Sequence, residues 1–87
     1  MIYETKQKDN YSIIMLTGDV DMSSSSDARK QILDSLTIKN VMVDLSKVTY
    51  IDSSGVASLV EGYQTAKATK REFSLIGVSE AAMMVFQ

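Results

Sequence analysis

Cysteine, histidine, proline and tryptophan are all missing from this 87-residue chain. Without cysteine there is no disulfide and no thiolate nucleophile. Without histidine there is no imidazole base, and neither residue can serve a zinc-type metal site. With no proline and four glycines, serine, aspartate and asparagine must punctuate the chain. Aromatic residues are scarce too, two phenylalanines and four tyrosines, so the core must be aliphatic with methionine as filler. That suits a parallel sheet under helices better than an aromatic sandwich. The six methionines read as adaptable core filling rather than as a promiscuous groove.

An excess of one charge is also absent. Net charge is −2 with acids and bases interspersed, whereas nucleic-acid binding leaves a basic face that neutralises phosphates. The local basic cluster Lys67, Lys70 and Arg71 falls at an expected helix C-terminus, where cations complement the helix dipole. Nucleic acid is therefore not an expected partner. No apolar run is long enough for membrane insertion, and Met1-Ile2-Tyr3-Glu4 has no signal-peptide architecture, which makes cytoplasm the default expectation.

What is present, in a length that allows one domain over residues 1–87, is an alternation of strand and helix patterns. Residues 2–6 predict a strand, Lys8-Asp9-Asn10 a turn, and Tyr11 to Thr17 a second strand, the pair forming a hairpin. Gly18 is expected to end the second strand, with Asp19 to Met22 in a loop. Two carboxylates, Asp19 and Asp21, are a weak metal signal and read as a solvated or partner-contacting loop. The run Ser23 to Ser26 offers a hydroxyl cap for a helix carrying Ala28, Ile32, Leu33 and Leu36 on one face. Val41 to Leu45 predicts a third strand, apolar nearly throughout. A second helix is expected from about Ser54 to Lys70, with Val56, Leu59, Val60, Tyr63 and Ala66 inward and Glu61, Gln64 and Lys67 outward. Glu72 to Ile76 gives a fourth strand, Gly77 a turn, Ser79 a cap and Glu80 onward a short last helix. The expected class is α/β: a hairpin followed by βαβαβα, with right-handed crossovers and a mixed, largely parallel sheet.

The stretch richest in chemistry is Ile51-Asp52-Ser53-Ser54-Gly55-Val56. It places an acid and two hydroxyls at the positive end of the second helix, where Ser53 or Ser54 can accept from the first backbone amides. Gly55 permits close approach of a backbone or ligand. Taken alone, these residues read as a helix cap. A serine hydrolase would need a Gly-x-Ser-x-Gly elbow and a base, and a Walker-type phosphate loop would need a lysine after the glycines. Both sets of parts are missing, so no enzyme and no cofactor is expected.

With Leu16-Thr17-Gly18-Asp19-Val20-Asp21, Val43-Asp44-Leu45-Ser46 and Gly77-Val78-Ser79, this segment makes the chain resemble the STAS domains, which include bacterial anti-sigma factor antagonists. The resemblance runs over nearly the whole chain. It implies that Ser53 is phosphorylated by a partner anti-sigma factor that is itself a serine kinase. Asp52 matches the neighbouring acid and Asp21 a loop acid of the same face. The implied partner-binding face is Asp21, Asp52, Ser53, Ser54 and Gly55. Unmodified antagonist binds the kinase and frees the sigma factor; phosphorylated antagonist lets go. A phosphate at this helix N-terminus is expected to be tolerated by its free amides and dipole, so its effect falls on the partner. An alternative within the family is a small subunit of a bacterial lipid-transport ABC system that docks on the ATPase. Family members usually continue beyond the point matching Gln87, so the C-terminus reads as shortened, and a homodimer or a partner would cover the apolar tail Ala81 to Phe86.

Overall fold

A computed structural model describes residues 2–77. Strand β1 (Ile2–Lys8) and strand β2 (Tyr11–Val20) pair antiparallel, with Lys8 opposite Tyr11. The turn between them is therefore two residues, shorter than expected, and β1 reaches Lys8 instead of ending at residue 6. Asp9 sits at φ 47°, a left-handed conformation that aspartate tolerates better than most side chains.

Helix α1 (Ser25–Leu36), strand β3 (Asn40–Ile51), helix α2 (Ser53–Ala68) and strand β4 (Phe73–Ile76) follow. The sheet order is β1-β2-β3-β4, with β2, β3 and β4 parallel. Both crossovers step the same way across the sheet, so right-handed connections put α1 and α2 side by side on one face. The α/β architecture expected from the sequence, a hairpin leading into a mostly parallel sheet with helices packed on it, is the one observed.

Ile14 and Leu16 of β2 and Val41, Val43 and Leu45 of β3 are buried beneath the helices. Ile13, Met15, Met42 and Asp44 alternate onto the opposite face and are half-buried. Thus β3 alternates instead of being buried on both faces. Both central strands also run further than predicted. β2 continues through Gly18 to Val20, and β3 through Ser46 to Tyr50, expected to be a link, to Ile51. Register shifts in this pairing absorb the extra residues, and Val48 and Ile51 return to the core.

On α1, Ala28, Ile32 and Leu36 are buried, as their spacing predicts. On α2 the inward face is Gly55, Ser58, Leu59, Gly62 and Ala66, while Val60 is 48% and Tyr63 54% exposed. This corrects the expectation that both point inward. A Cβ on Gly62 would lie 2.8 Å from Ile32 Cγ2 and 3.0 Å from Phe73 Cε2. Small residues therefore make the close contact beside Leu59, and Val60 and Tyr63 are turned away. Arg29 and Glu61 join the exposed margins of the two helices, with Arg29 Nη2 donating to Glu61 Oε1 at 2.8 Å. Phe73 and Leu75 close the core from β4. Gly77 then turns the chain at φ 61°, where a Cβ would meet Asp44 Oδ1 at 2.7 Å. The predicted cap at Ser79 and the helix from Glu80 lie outside the described residues.

Candidate partner-binding site

The parallel ends of β2 and β3, where Val20 pairs with Ile51, set the position of the Asp-Ser-Ser-Gly segment. The Asp52 amide donates to the Val20 carbonyl at 3.1 Å, which fixes the start of α2 to the end of β2. A Cβ on Gly55 would fall 2.6 Å from Ile51 Cγ1 and 2.8 Å from the Val20 carbonyl oxygen. The first turn of α2 can press onto the strand ends because glycine stands there. Gly55 is itself buried, so it shapes the segment from beneath.

Asp52 caps the helix, with extended backbone at φ −102° and ψ −173°. Its Oδ1 accepts from the Ser54 amide at 2.9 Å, the Ser54 hydroxyl at 2.6 Å and the Gly55 amide at 3.0 Å. The Val56 amide donates to the Asp52 carbonyl at 3.0 Å. The serines were expected to supply the cap, but the aspartate does. Of the amides expected to receive a phosphate, those of Ser54 and Gly55 are consequently already occupied. The Ser54 hydroxyl, the Gly55 amide and the amides of Ser54 and Met22 all hold the Asp52 carboxyl below the usual carboxylate range.

The two adjacent serines thus differ. Ser54 is half-buried and its hydroxyl is committed to Asp52. Ser53, the first helical residue, is exposed, and among the described residues its hydroxyl makes no hydrogen bond.

The loop after β2 brings Asp21 to the same end of the molecule. Asp21 Oδ1 accepts from the Ser23 hydroxyl at 2.6 Å and the Ser23 amide at 3.0 Å, and the Ser23 hydroxyl is the main reason its carboxyl stays below the usual range. Ser24 accepts from the Asp21 amide at 3.0 Å and donates to the Asp19 carbonyl at 3.1 Å. Asp19 accepts from the Thr49 hydroxyl at 2.9 Å. Ser24 is the N-cap of α1, but its side chain makes no capping bond. The serine run knots the Asp21 loop instead of capping by hydroxyl. Buried Ser58 ties the loop to the segment, donating to the Ser25 and Ser54 carbonyls at 3.1 Å each.

Asp21, Asp52, Ser53 and Ser54 therefore share one end of the sheet. Among the described residues no three of His, Cys, Asp or Glu come together as a metal site. Two further residues belong to this end and were not singled out from the sequence: Met22, 81% exposed, and Tyr50, 52% exposed. An apolar residue between acid and serine in a loop gives no periodicity to read, and Tyr50 fell in a stretch expected to be a link.

Comparison with known proteins agrees with this architecture. The STAS domain family model matches residues 3–87, and the chain belongs to that family. An anti-sigma-B factor antagonist of Listeria monocytogenes is 26% identical over 88 residues, covering 97% of this chain and 76% of the relative. The anti-sigma factor antagonist SpoIIAA in its unphosphorylated form has the same fold, with TM-score 0.81, 19% identity and coverage of 99% of this chain and 82% of that one. SpoIIAA of Bacillus in its phosphorylated form matches with TM-score 0.81, 19% identity and coverage of 99% and 81%. This is similarity to anti-sigma factor antagonists at low identity, in a family that is typically non-catalytic. Among the described residues, no helix is long and apolar enough to cross a membrane.

Proposed function

We propose that this chain is an anti-sigma factor antagonist that binds an anti-sigma serine kinase through the Asp21–Ser53 end of its sheet and is released when Ser53 is phosphorylated. The observation that carries this reading is the contrast between the two serines: Ser53 is exposed and its hydroxyl has no hydrogen bond among the described residues, whereas Ser54 is held by Asp52. A kinase needs an accessible acceptor, and Ser53 offers it on a rigid base.

The same geometry supports a way for the phosphate to act. It adds roughly −1.5 to −2 charges near neutral pH. Asp52 already occupies the Ser54 and Gly55 amides of α2, so the phosphate stands out toward the partner beside a fixed carboxylate. SpoIIAA carries this fold in both its unphosphorylated and phosphorylated forms, which favours a switch at the surface over refolding. A charge forced unpaired into an interface costs about 2–5 kcal/mol, so binding weakens by tens- to thousand-fold.

The test is affinity capture from host lysate with wild type beside Ser53→Asp. A serine kinase retained by wild type and lost by the variant supports the antagonist reading. Capture of an ABC ATPase instead would make the chain a transporter subunit, and a kinase retained equally by both would refute the phosphate switch.

A further inference from the structure

Soluble proteins keep large apolar side chains in water singly, and where two flank a polar site they mark contact. Met22 and Tyr50 are such a pair. Tyr50 immediately precedes Ile51 and pairs with Asp19 across the parallel ladder; Met22 follows Val20 by two residues. Since Val20 pairs with Ile51 and the Asp52 amide bonds to the Val20 carbonyl, Tyr50 and Met22 both stand at the base of the Ser53 segment. Neither belongs to the core cluster formed by the described residues. Their backbone is nevertheless firm: Tyr50 stands in β3, and Met22 lies in the loop locked by Asp21, Ser23 and Ser24. Preorganised apolar groups of this kind lose little conformational freedom on binding.

Charge decides what can cover them. Asp19, Asp21 and Asp52 all stand at this end. A second copy of the chain, meeting it about a two-fold axis, would bring the same carboxylates face to face. A partner with basic side chains around an apolar socket is complementary instead.

Resting on the function proposed above, we infer that Met22 and Tyr50 are the apolar anchors of the partner interface, seated in a socket of the anti-sigma kinase whose rim carries arginine or lysine. The acids orient the partner and Ser53 switches it, while these two side chains supply most of the holding power.

The experiment takes the kinase captured by wild type, purifies it, and titrates it calorimetrically with wild type, Met22→Ala, Tyr50→Ala, the double variant and Ile38→Ala. Ile38 is 70% exposed and lies just after α1, at the opposite end of the sheet, so its substitution controls for general loss of apolar surface. Each anchor variant is expected to melt close to wild type and to bind about tenfold or more weakly, the double variant weaker still, and Ile38→Ala unchanged. Raising the salt is expected to slow association of all of them. Anchor variants that bind within about twofold of wild type would overturn this inference while leaving the phosphate switch intact. Loss of kinase capture by wild type itself would refute the functional reading beneath it. A concentration-dependent dimer of the free chain, abolished by Met22→Ala in sedimentation, would make a second copy the occupant and overturn the assignment.

Discussion

Asp52 holds the start of α2 through one carboxylate oxygen that accepts three hydrogen bonds. Because its pKa is lowered in the folded protein, its stabilising effect is fully present above the unfolded value, about 3.9. It is lost as pH falls through the lower folded value. Asp21 is shifted the same way by Ser23. Thermal melts are therefore expected to be flat in this respect from neutrality to about pH 5, with an acid-side loss below about pH 4 that is shallower in Asp52→Asn. An unaltered acid limb in that variant would show that the cap does not respond to charge. The phosphate belongs at this scale too. Since Asp52 holds the Ser54 and Gly55 amides, phosphorylated Ser53 is expected to melt at or slightly below the unmodified protein. A clear rise would mean that the phosphate displaces Asp52 and takes over the cap. Gly55→Ala is expected to destabilise by about 1–3 kcal/mol in urea titration, because the added carbon meets Ile51 and the Val20 carbonyl, which is backbone. Full stability in that variant would show that the strand ends can yield.

At the scale of elements, α2 connects the proposed switch residue to the core. Leu59 is its buried large anchor, and Leu59→Ala is expected to cost about 2–5 kcal/mol, against near-neutral Val60→Ala. Chemical denaturation of the two variants checks this, and equal losses would contradict the observed helix orientation. The strand and helix order was readable from the sequence because polar punctuation separates apolar patterns of clearly different period. The facing of α2 was not. Val60 and Tyr63 fit an apolar stripe, but Gly62 and Ser58 permit a closer approach to α1 and β4, and proximity decides the buried side. The length of β3 was equally obscured, because Ser46-Lys47 and Thr49-Tyr50 look like a link until β2 is alongside to pair with them. At the site, the identity of the segment was legible in Ile51 to Val56. The division of labour, with Asp52 as cap and Ser24 as loop knot, rests on bonds only two to five residues long whose pattern is set by backbone angles. The sequence alone does not say which of several adjacent acids and hydroxyls adopts them.

Over the whole molecule, the residues of the proposed function gather at the end of the sheet where parallel strands deliver two loops together. The central strands fix the Asp21 loop and the start of α2 to one another, so the exposed Ser53 hydroxyl is presented from a hydrogen-bonded base. Under the proposed function, such a protein signals by what its surface carries, and the fold need not change to do it. The most direct test is to incubate the chain with the captured kinase and ATP and to map the modified residue by mass spectrometry in wild type, Ser53→Ala and Ser54→Ala. The account predicts one phosphate on Ser53 in wild type, none in Ser53→Ala, and continued modification of Ser53 in Ser54→Ala. Phosphate on Ser54 or in the Ser23 to Ser26 run, with Ser53 untouched, would contradict it.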